Sequence, residues 1–379
     1  MKIIIAPDSF KGSLTTIEAA DAIADGIKKV IIDAEIISIP IADGGEGTVE
    51  ALIRASNGKI IKTPATDPLG NKIESFFGIL GDGQTAVIEM AAASGLPLVS
   101  NDKRNPMLTT TYGTGELIKA ALDYGCRKII MGIGGSATND GGIGAIQALH
   151  GSFKDANGWE LKYGGAELIR LKTIDLAKLD RRIADCKFVV ACDVSNPLTG
   201  ELGASAVFGP QKGADSEMVE LLDAGLHNMA SVIKSVLGIN VENVPGAGAA
   251  GGLGAACLAF LGAELKSGID IVLEAVDFES KLNNADLVIT GEGRVDSQTI
   301  NGKVVSGILR ASNARNVPLL VIGGGVEEDG YELLDHGAIA VLSICSKPMN
   351  LEYAQTNAKE LLTRCAEQAM RMIVFNNSP

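Results

Sequence analysis

The chain opens on an apolar run, Ile3-Ile4-Ile5-Ala6, that stops at Pro7-Asp8. A short continuous run closed by a proline predicts a buried strand followed by a loop. The loop extends to Leu14, after which Thr15 and Glu18 stand at the capping-box spacing that starts a helix. Ala20, Ile23, Ala24 and Ile27 then fall at i, i+3, i+4 and i+7, the stripe of a helix with one buried face. Glu35 to Pro40 predicts a second strand that leads into Ile41-Ala42-Asp43-Gly44-Gly45. The start of the chain is therefore a β-α-β unit.

The same grammar returns near the C-terminus. Asp286 to Thr290, Pro318 to Ile322 and Ala338 to Ile344 are near-continuous apolar runs, and the first two stop at glycine. Runs of this kind belong in a parallel sheet covered on both faces. The middle of the chain is richer in glycine loops, though it keeps two buried-strand candidates, Lys128 to Ile133 and Phe188 to Cys192. The expected fold class is α/β: a doubly wound, mostly parallel sheet domain from residues 1–62 and 280–379, with a second mixed α/β domain, residues 63–279, inserted in it. Gly246 to Ala263 carries no charge, but its first half is glycine and alanine, so it reads as a loop entering a buried helix and not as a membrane span.

Charge narrows the partners. The 379 residues carry a formal net charge of -13 with no Lys/Arg-rich run, which argues against nucleic acid and against an anionic membrane surface. An anionic ligand would have to be met by a metal, by backbone N–H groups and by a few Lys or Arg. The six cysteines show neither C-x-x-C pairing nor zinc-site spacing, and read as thiols of a reducing cytoplasm. The three histidines, His150, His227 and His336, lie outside the glycine-acid loops, so acid–base work falls to carboxylates.

Open α/β sheets bind ligands past the carboxyl ends of their strands, and Asp8, Asp43, Asp193 and Glu292 stand at such positions. Asp8-Ser9-Phe10-Lys11 offers an acid, a hydroxyl and a cation before a helix; Asp43-Gly44-Gly45 repeats the idea after the second strand. Gly132 to Gly142, with Gly134, Gly135, Ser136, Thr138 and Asn139, could cradle phosphates on backbone and hydroxyl donors. Thr290 to Thr299 packs Glu292, Arg294 and Asp296 behind another strand. Blander roles exist for each: turn aspartates at Asp8 and Asp193, a solvated Lys11, an internal Arg294–Asp296 pair.

Gly246, Gly248 and Gly251 match G-x-G-x-x-G, with Asp270 at the distance of a ribose-binding acid. That pattern raises a NAD-dependent hydroxy-acid dehydrogenase as an alternative, although Ile239 to Pro245 is a poor buried strand for it. The Walker A pattern and the protein-kinase motif set are both missing from the sequence.

Several blocks resemble bacterial glycerate kinase of the first type. They are Ile5-Ala-Pro-Asp-Ser-Phe-Lys-Gly-Ser13, Ala42-Asp-Gly-Gly-Glu-Gly-Thr48, Gly132 to Gly142, Asp193 to Leu198, Phe208-Gly-Pro-Gln-Lys-Gly-Ala214, Gly246 to Gly254 and Thr290 to Asp296. The resemblance runs in order through nearly the whole chain. It implies ATP-dependent, Mg2+-assisted phosphorylation of D-glycerate to phosphoglycerate, in two α/β domains with the active site in the cleft between them. The 2-phosphoglycerate product is favoured over the 3-isomer, and a kinase of another small hydroxy acid is the neighbouring alternative. A cytoplasmic enzyme acting on ATP and D-glycerate is expected, with neither nucleic acid nor membrane as partner and a homodimer left open.

Phosphoryl transfer needs positioning and charge neutralisation above all. On that ground ATP's phosphates are expected at Gly134, Gly135, Ser136, Thr138 and Asn139, together with Gly246, Gly248 and Gly251. Asp193 is the expected Mg2+ ligand. The glycerate carboxylate would meet Lys11 or Arg294 and its free hydroxyl Asp8 or Asp43, with Ser9, Gly44 and Gly45 beside them. Asp296 or Asp193 would align the attacking hydroxyl.

Overall fold

In a computed structural model of the chain, residues 1–39, 41, 52–53, 56–300 and 304–376 are described. The strands among them are, in order, β1 (Lys2–Ile5), β2 (Glu35–Ser38), β3 (Lys59–Thr66), β4 (Lys72–Ile79), β5 (Thr85–Glu89), β6 (Lys128–Gly132), β7 (Ser152–Lys154), β8 (Thr173–Asp175), β9 (Lys187–Ala191), β10 (Glu264–Lys266), β11 (Leu287–Val295), β12 (Leu319–Val326) and β13 (Ala340–Ser343). They divide between two compact units, one made of Met1–Asp43 and Val272–Pro379, the other of Gly44–Ile271. In sequence, the second unit is thus inserted into the first.

The first unit holds a five-stranded sheet in the order β13-β12-β11-β1-β2, every pairing parallel. Counted within the unit this is 2-1-3-4-5 read from β2, a doubly wound order whose direction reverses between β1 and β11. Ile3 pairs with Leu287 and Ile5 with Ile289. Ile3 and Ile5 share a core with Leu287, Ile289 and Leu320 beneath the helices Thr16–Lys28 and Ala358–Asn376. Ile4 and Val288 alternate to the opposite face and are equally buried, on the side where the helix Val304–Ala314 meets β11 and β12. Both arms of the capping box form: the Glu18 amide donates to Thr15 Oγ1 at 3.3 Å and the Thr15 amide to Glu18 Oε2 at 2.9 Å. Such a cap stabilises a helix by about 1 kcal/mol.

The second unit has its own core around a six-stranded sheet, β10-β9-β6-β5-β4-β3. The pairings from β10 to β5 are parallel, and β5-β4-β3 are antiparallel. Pro64 lies in β3 at the sheet edge, the place where a missing N–H costs least. The uncharged stretch passes from turns into the helix Ala249–Leu261, whose Leu253, Ala255, Ala256 and Cys257 are buried. Among the described residues no helix is long and apolar enough to cross a membrane.

Candidate active site

In the first unit, β1 ends beside Ile289 of β11 at the reversal of the sheet, and β11 runs on past it to Val295. The Asp8 amide donates to the Gly291 carbonyl at 2.8 Å, and Thr290 Oγ1 donates to the Ala6 carbonyl at 2.7 Å. A side chain at Gly293 would meet the Lys11 amide nitrogen at 3.0 Å, so the Lys11 loop lies against the extension of β11. Buried Phe10 and the Ser13 hydroxyl, which donates to the Phe10 carbonyl at 2.9 Å, fix that loop. The Asp8 carboxylate accepts from the Ser9 amide at 2.6 Å. Lys11 remains exposed.

Arg294 is 68% exposed and stands between Asp296 at 3.4 Å and Glu327 at 3.3 Å. Exposed pairs at these distances contribute less than about 1 kcal/mol each, so the guanidinium can leave them for a ligand at little cost. Asp296 is held more firmly: its Oδ1 accepts from the Gln298 amide at 2.9 Å, and its own amide donates to Thr299 Oγ1 at 3.0 Å. Asp8, Ser9 and Lys11 on the loop leaving β1 thereby lie beside the extended end of β11, which carries Arg294 and leads into Asp296. Asp43, Gly44 and Gly45 lie outside the described residues.

In the second unit, the loop after β6 presents Gly134 and Gly135 to solvent and then turns inward, with Ser136, Thr138, Asn139 and Asp140 buried. The Ala137 amide donates to the Ser94 carbonyl at 3.0 Å, and the Gly135 carbonyl accepts from the Leu96 amide at 2.8 Å. The second glycine loop is packed on the first. Gly251 has φ +67°, and an added Cβ would stand 2.1 Å from the Thr138 carbonyl oxygen; its own carbonyl accepts from the Gly141 amide at 3.0 Å. Only glycine satisfies both the left-handed backbone and that approach.

The loop after β9 completes the group. The Gly248 amide donates to the Asn196 carbonyl at 3.1 Å, and a side chain at Gly246 would meet Cys192 Sγ at 3.0 Å. Asp193 is exposed, one carboxylate oxygen held by the Gly268 amide at 2.8 Å. Gly134 to Asn139, Asp193, Gly246, Gly248 and Gly251 thus lie on three neighbouring loops at the carboxyl ends of β6 and β9. The residues ahead of Gly246 form turns and not the strand that a dinucleotide fingerprint requires.

Two buried charges support this arrangement, and the motifs contain them without revealing their role. Asp140 is fully buried; its Oδ2 accepts from the Thr111 amide at 2.8 Å and the Thr111 hydroxyl at 2.9 Å, and its Oδ1 from the Gly142 amide at 3.1 Å. Burial raises its pKa, while these bonds oppose the rise. Lys212 is 1% exposed, and its Nζ donates to the Thr138 carbonyl at 2.6 Å. Burial lowers the Lys212 pKa from its ordinary 10.5 to about 7, partly opposed by the Asp140 charge. Asn139 Nδ2 donates to Ser205 Oγ at 3.0 Å, whereas Asn139 Oδ1 and Thr138 Oγ1 have no hydrogen-bond partner among the described residues. A lysine between glycine turns, Pro210-Gln-Lys-Gly213, was the available signal; its burial comes only from the tertiary fold.

A family model described as the glycerate kinase family matches residues 3–374. The chain belongs to the glycerate kinase family. It is 55% identical over 366 residues, 97% of this chain and 96% of its relative, to the glycerate kinase of Bacillus subtilis (strain 168). It is 51% identical, with the same coverage, to the glycerate 2-kinase of Escherichia coli (strain K12). A crystal structure from Salmonella typhimurium LT2, assigned as glycerate kinase 2, matches with a TM-score of 0.88 and 48% identity, covering 100% of this chain and 99% of that one. The family member described here is accordingly a kinase that phosphorylates an alcohol group, with the two-unit α/β fold expected of it.

Proposed function

We propose that this kinase transfers the γ-phosphoryl group of ATP to the 2-hydroxyl of D-glycerate, giving 2-phosphoglycerate and ADP. The hydroxyl oxygen forms the new P–O bond, the bond from the γ-phosphorus to the β-bridging oxygen breaks, and the hydroxyl proton passes to a carboxylate and on to solvent. The observation that carries the reading is the joining of the Gly134–Asn139 and Gly246–Gly251 loops at the ends of β6 and β9 in a member of this family. The 2-position follows the name of the Escherichia coli relative.

ATP's phosphates sit on the rim at Gly134 and Gly135, with Ser136, Thr138 and Asn139 forming its buried base. Lys11 or Arg294 holds the glycerate carboxylate, Asp8 or Asp43 its free hydroxyl, and Ser9, Gly44 and Gly45 supply the surrounding donors. Asp296 or Asp193 aligns the attacking oxygen. Among the described residues no three His, Cys, Asp or Glu side chains are grouped to hold a metal by themselves. The exposed Asp193 carboxylate beside these loops fits Mg2+, which takes one or two carboxylates and completes its shell with phosphate oxygens and water. Asp193 would be the protein ligand, and the ion would supply charge neutralisation at the β- and γ-phosphates. The enzyme works in the cytoplasm on two small molecules, without nucleic acid; native mass measurement reads whether it does so as a homodimer.

The purified protein is incubated with MgATP and D-glycerate, with L-glycerate and glycerol as controls, and the product is identified by phosphorus NMR. The expected product is 2-phosphoglycerate, formed only with the metal present. A 3-phosphoglycerate signal would overturn the position, and turnover confined to another hydroxy acid would overturn the substrate.

A further inference from the structure

The segment from Arg104 to Thr111 runs along the glycine-rich loop of the second unit. Thr109 Oγ1 donates to the Ala137 carbonyl at 2.8 Å, and Thr111 donates twice to Asp140. Arg104 begins this segment and is partly buried. Its backbone is pressed on Gly213, the residue after Lys212: a side chain there would meet the Arg104 carbonyl oxygen at 2.4 Å and its Cβ at 3.0 Å. The Arg104 backbone is therefore held against the turn that carries Lys212, and its segment runs on to Thr109 and Thr111, which bond the glycine-rich loop.

Among the described residues Arg104 makes no hydrogen bond and no ion pair, and its Nε is shut off from solvent. A buried N–H without an acceptor is unfavourable, more so on a charged group than a neutral one, and buried polar atoms of native proteins nearly always have partners. Arg294, by contrast, faces solvent and has two carboxylates within 3.4 Å. An arginine whose backbone packs on the Lys212 turn and whose buried Nε–H has no protein acceptor lacks a partner that a ligand can bring.

We infer that Arg104 is a binding residue for an oxyanion of the reactants, its exposed end turning on binding so that Nε–H and an Nη–H fork onto two oxygens of one group. The planar fork matches a phosphate or a carboxylate and a lysine does not reproduce it. This rests on the proposed function, under which the oxyanion comes from ATP's phosphates or from glycerate's carboxylate.

The test uses the full-length kinase and its Arg104→Gln and Arg104→Lys variants. Steady-state kcat and KM are measured for each substrate, and MgATP and D-glycerate binding are read separately by calorimetry. Loss of a charge-assisted pair predicts a fall of about 10- to 100-fold in affinity or kcat/KM for one reactant. A fall confined to MgATP assigns the phosphate, and one confined to glycerate the carboxylate. Arg104→Lys should recover part of the loss, and neither variant should lower the unliganded Tm, since the side chain has no protein partner to lose. Constants within twofold of wild type for both reactants would overturn the inference, as would a loss that tracks a lowered Tm. Absence of glycerate turnover in the wild-type enzyme sinks the proposed function instead, and the MgATP titration still judges Arg104.

Discussion

The two candidate loop systems are built on opposite plans. At the switch point of the first unit, Lys11 and Arg294 are exposed, and Arg294 pairs only loosely with Asp296 and Glu327. In the second unit, the Gly134–Asn139 loop offers few charges at its rim and hides Asp140 and Lys212 beneath it. Under the proposed function, the first plan recognises a ligand by side chains that can re-pair; the second by a backbone whose shape is fixed from behind. A small hydroxy acid suits the former, because its carboxylate and hydroxyls are read one by one. A polyphosphate suits the latter, because its many oxygens need many N–H donors held in place.

The comparison can be broken most sharply at the carboxylates. Asp193→Asn and Asp296→Asn should each lower kcat by 100-fold or more, in the range typical of acid–base and metal-positioning groups, with an unchanged circular dichroism spectrum. Full turnover in both would remove the carboxylates from the mechanism. Next comes Gly251→Ala, which must place a methyl 2.1 Å from the Thr138 carbonyl in a left-handed backbone. We expect a loss of about 2–4 kcal/mol in a denaturant titration, together with weakened nucleotide binding.

The buried lysine sharpens the contrast through pH. A folded pKa of about 7 against an ordinary 10.5 means that the unfolded chain holds more protons between those values. Stability from this group therefore rises as pH climbs from about 7 toward 10.5 and is flat below 7. Measured against Lys212→Met at each pH, the wild-type advantage should grow by at most about 1.4 kcal/mol per pH unit. A difference that stays flat or falls over this range would show that Lys212 stays charged. The smallest effect belongs to Arg294→Ala, which should change stability by less than about 1 kcal/mol while raising KM for glycerate; an unchanged KM would leave Arg294 with only its pairing role.

Local pattern carried much of the fold. Ile3 to Ala6, the Thr15–Glu18 box and the apolar runs before Gly291 and Gly323 were legible because strand burial and helix capping are written in adjacent residues. β11 and β12 run on through their glycines to Val295 and Val326, beyond the apolar runs, since ladder pairing such as Arg294 with Gly325 continues where hydrophobicity does not. The hairpin of β3 and β4 went unread; Pro64 and the exposed face of an edge strand dilute its alternation. The glycine loops announced themselves by composition, but Arg104, Asp140 and Lys212 did not, because whether a charge is buried depends on segments far away in sequence. Lys212 reaches Thr138 across 74 positions.

The insertion has a consequence for how the molecule is made. β1 finds its partner β11 only when Leu287 has been synthesised, 284 residues after Ile3. At about 5–20 residues per second, that leaves the Ile3–Ile5 edge unpaired for roughly 15–60 seconds. Over the same interval the second unit, which needs nothing beyond Ile271 for its own sheet, can close. Stalled ribosome-bound chains just long enough to bring residue 271 clear of the exit tunnel should thus show a protease-resistant second unit tethered to a cleavable N-terminal segment. For this kinase, a sheet that reverses direction between its first strand and its eleventh is also a sheet that must wait.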